Sequence, residues 1–223
     1  QYSISGSSYE GDRDYMRDRS LSVGVTYQAS NALTLTLRPE FEIYKPLVQW
    51  VTRCAFGDGD EPRYIMASLD QKTVGLTARL NWSLTPELSV QYYGMPFVSA
   101  GAYSEFKRIV DARAGRLEDR YHVFQPGEIR ADGDGATYSI DENADGLADY
   151  SFANPSFNFL QFRSNLVIRW EYRPGSVLYV VWSQGRTGYD RSGRFALGDG
   201  FRDLFDVHPG NVFLVKFSYC FTL

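Results

Sequence analysis

The residues best suited to chemistry lie in an acidic stretch past the middle of the chain. Asp141, Asn143, Asp145 and Asp149 carry oxygen ligands at closely spaced positions, with Gly146 among them. Such oxygens can converge on one hard cation when a glycine permits the sharp turn between them, and Leu147 would add its backbone carbonyl. The expected chemistry is a bound calcium ion with a structural role. Asp132 and Asp134, in an Asp-Gly-Asp-Gly run upstream, would complete this site or begin a second. The plainer alternative is a solvated acidic loop, rich in Asp and Gly because loops turn. Catalysis has less to draw on: the histidines are His122 and His208, and neither stands in a nucleophile motif. Both read as surface loop residues. No phosphate-cradling glycine loop and no Cys/His metal cluster is present.

A second chemical set is spread along the chain: Arg38, Glu40, Glu42, Arg79, Arg169, Glu171 and Lys216. Each occupies the polar phase of a segment whose alternate residues are apolar. The segments are 21–27, 33–43, 74–82, 88–92, 166–172 and 213–223, and period-two alternation of this kind is the mark of strands. Helical spacing is suggested only around Gly200–Phe205. Three connections are tight, at Ala29-Ser30-Asn31, Thr85-Pro86-Glu87 and Pro174-Gly175-Ser176, each with Pro, Gly or Asn where a turn needs a preset or positive φ. Between them lie long polar links at 11–17, 56–63, near 101–157 and near 185–210.

Short turns alternating with long links are the pattern of a transmembrane barrel, with brief periplasmic turns and extended outer loops. The fold expected is therefore all-β, an antiparallel transmembrane β-barrel with about eight strands in this chain. One domain spans 1–223. If the C-terminus is periplasmic, every tight turn falls on the periplasmic side. The alternation persists for about 9–11 residues, the length of a tilted spanning strand, whereas strands of a soluble sandwich run about 5–6. A soluble lipocalin-like barrel would turn the apolar phase inward, and alternation alone does not separate the two. In the membrane reading the charged phase lines the lumen. Its mixed sign opposes strong ion selectivity and suits interior salt bridges or a polar, sugar-compatible channel.

Composition agrees. Aromatic residues make up 16% of the chain, including 16 Tyr and 15 Phe, as membrane barrels require at both lipid–water boundaries. With 27 acidic and 23 basic residues the net charge is −4, which implies no nucleic-acid partner. No apolar run is long enough for a spanning helix. Cys54 and Cys220 fall at opposite ends of the expected barrel, about 25 Å apart, so both are expected free.

Phe213, Val215, Phe217, Tyr219, Phe221 and Leu223 place apolar side chains at every second position to the last residue. This resembles the C-terminal assembly signal of outer-membrane barrels, carried here by Phe217, Tyr219, Phe221 and Leu223; Leu223 stands where Phe is commonest. The resemblance implies barrel-insertion machinery as a partner, and an unpaired final edge suits templated pairing. The 141–149 stretch is similar to the calcium loops of dockerin and thrombospondin-type repeats, although the bidentate Glu of a full EF-hand is lacking.

Residues 69–81, 95–103, 158–176 and 208–219 resemble one family of large outer-membrane proteins, domain of unknown function 5916, most specifically in Arg169-Trp-Glu-Tyr-Arg-Pro-Gly-Ser176. The likeness spans residues 60–223. Its members resemble a family-nine carbohydrate-binding module followed by a long barrel. The resemblance implies the bacterial outer membrane, membrane lipid as surroundings and a link to glycans, and it brings no catalytic residues. It leaves two readings, a closed barrel and the C-terminal portion of a larger one completed by another segment. The function expected is porin-like transport or surface binding of glycan-like ligands. A structural barrel docking a partner protein is the alternative, and an outer-membrane hydrolase a weaker one.

Overall fold

The computed structural model describes residues 2–10, 15–57 and 61–221. Strands β1 (Tyr2–Glu10), β2 (Met16–Ser30), β3 (Leu33–Pro46), β4 (Gln49–Phe56), β5 (Glu61–Ser83), β6 (Leu88–Ile109) and β7 (Tyr121–Val123) lead into a small sheet of β8 (Ile129–Ala131), β9 (Thr137–Ile140) and β10 (Tyr150–Ala153). Then follow β11 (Phe157–Arg173), β12 (Ser176–Asp190), helix α1 (Leu197–Asp206) and β13 (Gly210–Ser218). The main sheet is ten-stranded, its long strands in the order β1-β2-β3-β5-β6-β11-β12-β13. Every pairing in it is antiparallel.

The three tight turns join β2 to β3, β5 to β6 and β11 to β12, and all fall at one end of the sheet. The longer links gather at the other. The strands outrun the expected spanning length: β5 has 23 residues and β6 has 22. Consequently Gly101–Ile109 and Gly185–Asp190 are strand, and the two long links reduce to 110–156 and 191–209. The helical spacing seen near Gly200 is α1. Residues 11–14 and 58–60, parts of two expected links, lie outside the described residues. No closed barrel is found: among the described residues β1 and β13 are the two edges, and no pairing joins them.

Register decides which residues share a face, because directly paired residues of an antiparallel ladder point the same way. Leu37 pairs Val25 on one side and Ala78 on the other; Ala78 pairs Gly94, Gly94 pairs Ser164 and Ser164 pairs Gln184. One rung lower, Tyr27, Leu35, Leu80, Tyr92, Leu166, Trp182 and Phe213 are successive partners. The apolar phases of the strands thus merge into one face. That face is open: Leu35 is 37% exposed, Trp82 42%, Trp170 48% and Phe217 65%.

The buried core sits at the loop end. There β10, β9 and β8 pack on the upper parts of β4, β5 and β6, burying Ile65, Ala67, Phe106, Phe124, Ile140, Tyr150 and Phe152. A second cluster forms where α1 sets Leu204 against Val98, Leu160 and Phe162 at the top of the apolar face. Gly200 allows the approach, since a Cβ there would come 3.1 Å from Val98. Strand β3 breaks at Pro46, and β4 resumes its pairing on β5. The Leu47 carbonyl at the break accepts from Lys107 Nζ at 2.8 Å and Ser68 Oγ at 3.2 Å. This satisfies a backbone acceptor that the ladder no longer serves.

Emptying one fully buried position tests the docked sheet. Ile140→Ala is expected to cost about 2–5 kcal/mol of that packing, seen as faster proteolytic cleavage within 110–156 while the main sheet stays intact. Cleavage at the wild-type rate would contradict the packing described.

Candidate functional site: the polar face of the sheet

The seven charged residues read from the polar phase do share one face. Thr36 pairs Arg79, Arg38 pairs Thr77, Glu40 pairs Ser22 and Gly75, and Glu42 pairs Ser20 and Thr73. Farther along the same face Ser89 pairs Arg169, Arg169 pairs Tyr179 and Tyr179 pairs Lys216, with Glu171 two residues beyond Arg169. Arg169 and Glu171 form an ion pair at 2.8 Å, and Glu171 also accepts the Gly175 N–H at 3.0 Å, tying it to the turn. Arg79 lies over the Tyr93 ring at 5.4 Å. Among the described residues no salt bridge engages Arg38, Glu40, Glu42, Arg79 or Lys216. Charges left unpaired need water around them.

Two depressions mark this face. The first, of about 300 Å3, is lined by Ser20, Ser22, Glu40, Glu42, Thr73 and Phe97 among others. The second, an open cleft of about 490 Å3, is lined by Phe97, Ser99, Pro155, Phe157, Phe159 and Tyr189. Phe97 belongs to both. The Phe97 and Phe159 rings meet edge to face with centroids 6.2 Å apart. Beside them Thr73 and Ser99 share a hydrogen bond of 2.9 Å, and the Gln71 amide donates to Ser99 at 3.3 Å. The arrangement offers aromatic faces, hydroxyls and carboxylate acceptors side by side. The aromatic cleft was not expected from the sequence. Its signal is a lapse in the pattern, since Phe97, Phe157, Phe159 and Tyr189 are aromatic residues in the polar phase.

The acidic stretch sits above, in the 110–156 link. The 141–149 loop joins β9 to β10, whereas Asp132 and Asp134 cap the turn before β9, accepting from Thr137 N–H at 3.0 Å and Ala136 N–H at 2.9 Å. The two groups therefore lie at opposite ends of β9 and are not brought together. Among the described residues no group of three His, Cys, Asp or Glu side chains is already gathered as a metal cluster. Glu142 is instead the hinge of the docked sheet: Arg63 Nε and Arg108 Nε reach it at 3.2 and 3.3 Å, and the Tyr150 hydroxyl donates to it. Burial and then this carboxylate push the Tyr150 phenol far above its usual range. Burial also lowers the Lys107 ammonium, partly offset by Glu105.

His122 binds Glu128 at 3.0 Å, and His208 is exposed. Among the described residues no hydrogen bond or ion pair joins either histidine to a cleft residue. Both cysteines are free, Cys54 on β4 and Cys220 beside Gly175 at the tight-turn end. In the C-terminal segment Phe217 lies on β13, but pairing stops at Ser218, so Tyr219 and Phe221 follow the strand; Leu223 lies outside the described residues. All nine residues of β13 are exposed.

These features define an all-β protein whose one broad antiparallel sheet has an apolar and a polar face, with the structured links clustered at one end. The chain belongs to the family described as Domain of unknown function (DUF5916), whose model matches residues 1–222. No curated protein and no solved structure matches it.

Because its raised phenol keeps its proton, Tyr150 is expected to stay out of the tyrosinate titration near pH 10 in the folded protein. The Glu142–Tyr150 bond stabilises fully below the ordinary phenol value and is lost as pH rises through the raised one. Tyr150→Phe should leave the native ultraviolet amplitude unchanged at that pH; a loss of one tyrosine's amplitude would show the hydroxyl is free.

Proposed function

We propose that this sheet is part of the wall of a bacterial outer-membrane barrel whose polar face binds or conducts glycan-like ligands. The single observation that carries it is the uncovered apolar face. Over most of its height the sheet is one layer thick, and soluble proteins rarely leave a contiguous apolar patch of such breadth exposed. On this face Val74, Leu76, Ala78, Leu80 and Trp82 follow one another along β5, and Leu166, Ile168 and Trp170 along β11, without a charge. Among the described residues charges enter this face only nearer the loop end, at Arg17, Arg19, Lys45, Asp70, Lys72, Arg186 and Asp190, with Lys45 and Asp70 paired at 2.7 Å.

The dimensions fit lipid. From Val74 to Trp82 is about 26 Å of strand at ~3.3 Å per residue. A tilt of ~40° makes this about 20 Å along the membrane normal, close to the ~25 Å apolar band of outer-membrane barrels. Trp82, Trp170 and Tyr27 lie towards the tight-turn end, where an interfacial aromatic girdle belongs. That end is periplasmic in this reading, and the open edges of β1 and β13 are what closure, or the insertion machinery, would pair. The unpaired charges of the polar face favour a hydrated lumen over a filled one.

A sugar-like ligand suits the polar face because pyranose rings have apolar faces that stack on aromatics and hydroxyls that need acceptors. The Phe97–Phe159–Tyr189 cleft and the neighbouring Glu40 and Glu42 supply both. A role as a docking barrel for a partner protein is the second reading, supported by the structured 110–156 link.

The intact protein, reconstituted in liposomes, tests this. Maltohexaose and xylohexaose are expected to bind or permeate, and Phe159→Ala with Tyr189→Ala to weaken that about tenfold or more, a loss of two stacking platforms. A panel of neutral oligosaccharides that neither bind nor permeate would overturn the glycan reading.

A further inference from the structure

The 141–149 loop contains a buried carboxylate oxygen with no hydrogen-bond partner. Asp141 is 7% exposed, and its Oδ1 is buried without a hydrogen-bond partner. Its other oxygen, Oδ2, accepts the Gly146 N–H at 2.9 Å, so the carboxylate is turned into the loop rather than away from it. The loop is pinned at its base, where the Asp149 N–H reaches the Ile140 carbonyl at 2.8 Å and the Asp141 N–H reaches the Glu128 carbonyl at 2.8 Å. The cations nearby do not serve Asp141, because Arg63 and Arg108 are held by Glu142. A buried carboxylate oxygen is ordinarily paired, hydrogen-bonded or bound to a metal.

We propose that this loop is a calcium site nucleated by Asp141 Oδ1. Asp145, Asp149 and the Leu147 carbonyl complete it with Asn143 and water. Hard oxygen donors on a flexible loop suit calcium, which accepts six to eight ligands in irregular geometry, better than magnesium, which demands a regular octahedron. The backbone is already turned for it, with Ala144 at φ 58° and Gly146 at φ 89°. At present the Asn143 amide donates to Asp145 Oδ2 at 3.1 Å, and calcium would take that oxygen in exchange. Because Glu142 follows Asp141 directly and clamps Arg63, Arg108 and Tyr150, calcium here also fastens the docked sheet to β5 and β6. This inference is independent of the membrane and glycan readings.

Calorimetric titration of calcium chloride into the intact protein, purified and stripped with EGTA, tests the site directly. One saturable site is expected, with binding of magnesium at least about tenfold weaker and with proteolysis within 110–156 slowed by calcium. Asp141→Asn should weaken calcium binding at least about tenfold, and Asp145→Asn, at an exposed position that leaves the core untouched, should do so even if the first variant misfolds. Absence of calcium binding at millimolar concentration would overturn the proposal, leaving water as the partner of Asp141. Affinity unchanged in Asp145→Asn, or equal affinity for magnesium, would overturn it too.

Discussion

The whole molecule depends on register held across adjacent antiparallel strands. A residue's side is fixed by its ladder partners, so a slip of one residue in any strand would exchange that strand's two faces. Here the partners agree rung after rung, from Tyr27 through Leu35 and Leu80 to Trp182 and Phe213. Three short turns hold this alignment at one end, and the largely apolar face and the charged face opposite are its two products. Neither face could exist without the other.

Towards the loop end the same strands meet a different problem. They continue past the apolar stretch, and there the sheet gains a second layer: β8, β9 and β10 over one region and α1 over another. Burial then demands that polar groups find partners. Lys107 and Ser68 serve the Leu47 carbonyl where β3 breaks, Glu142 gathers two arginines and Tyr150, and Arg186 donates to the Val207 carbonyl at 2.9 Å behind α1. A thin two-faced sheet thus passes into a conventional packed core within one set of strands, and the cleft of Phe97, Phe159 and Tyr189 lies close to that boundary.

What was legible in the sequence was what local chemistry decides. Alternation in 33–43 and 74–82 marks strands, Pro86 and Gly175 mark turns, and Arg38, Arg79 and Lys216 stand in a polar phase that register gathers on one face. Structure set by distant contacts was hidden. Nothing near Pro46 announces that β4 will resume pairing on β5. The strand ends lie beyond what alternation marks, because alternation fades where both faces become buried, as at Ser99 and Ala100. The cleft was missed because aromatics in a polar phase look like noise until register aligns them. Asp132 and Asp134 seemed neighbours of the 141–149 loop, but β9 separates them.

The central claim is that the apolar face meets lipid hydrocarbon. Trp82, Trp170 and Trp182 all stand on that face, and Trp50 lies on β4 beyond it. Tryptophan fluorescence of the intact protein in bilayers of brominated phosphatidylcholine measures this directly. The account predicts strong quenching by the brominated chains and little by aqueous iodide, with Trp50 supplying the residual water-accessible signal. Emission indifferent to the brominated lipid and quenched throughout by iodide would contradict it.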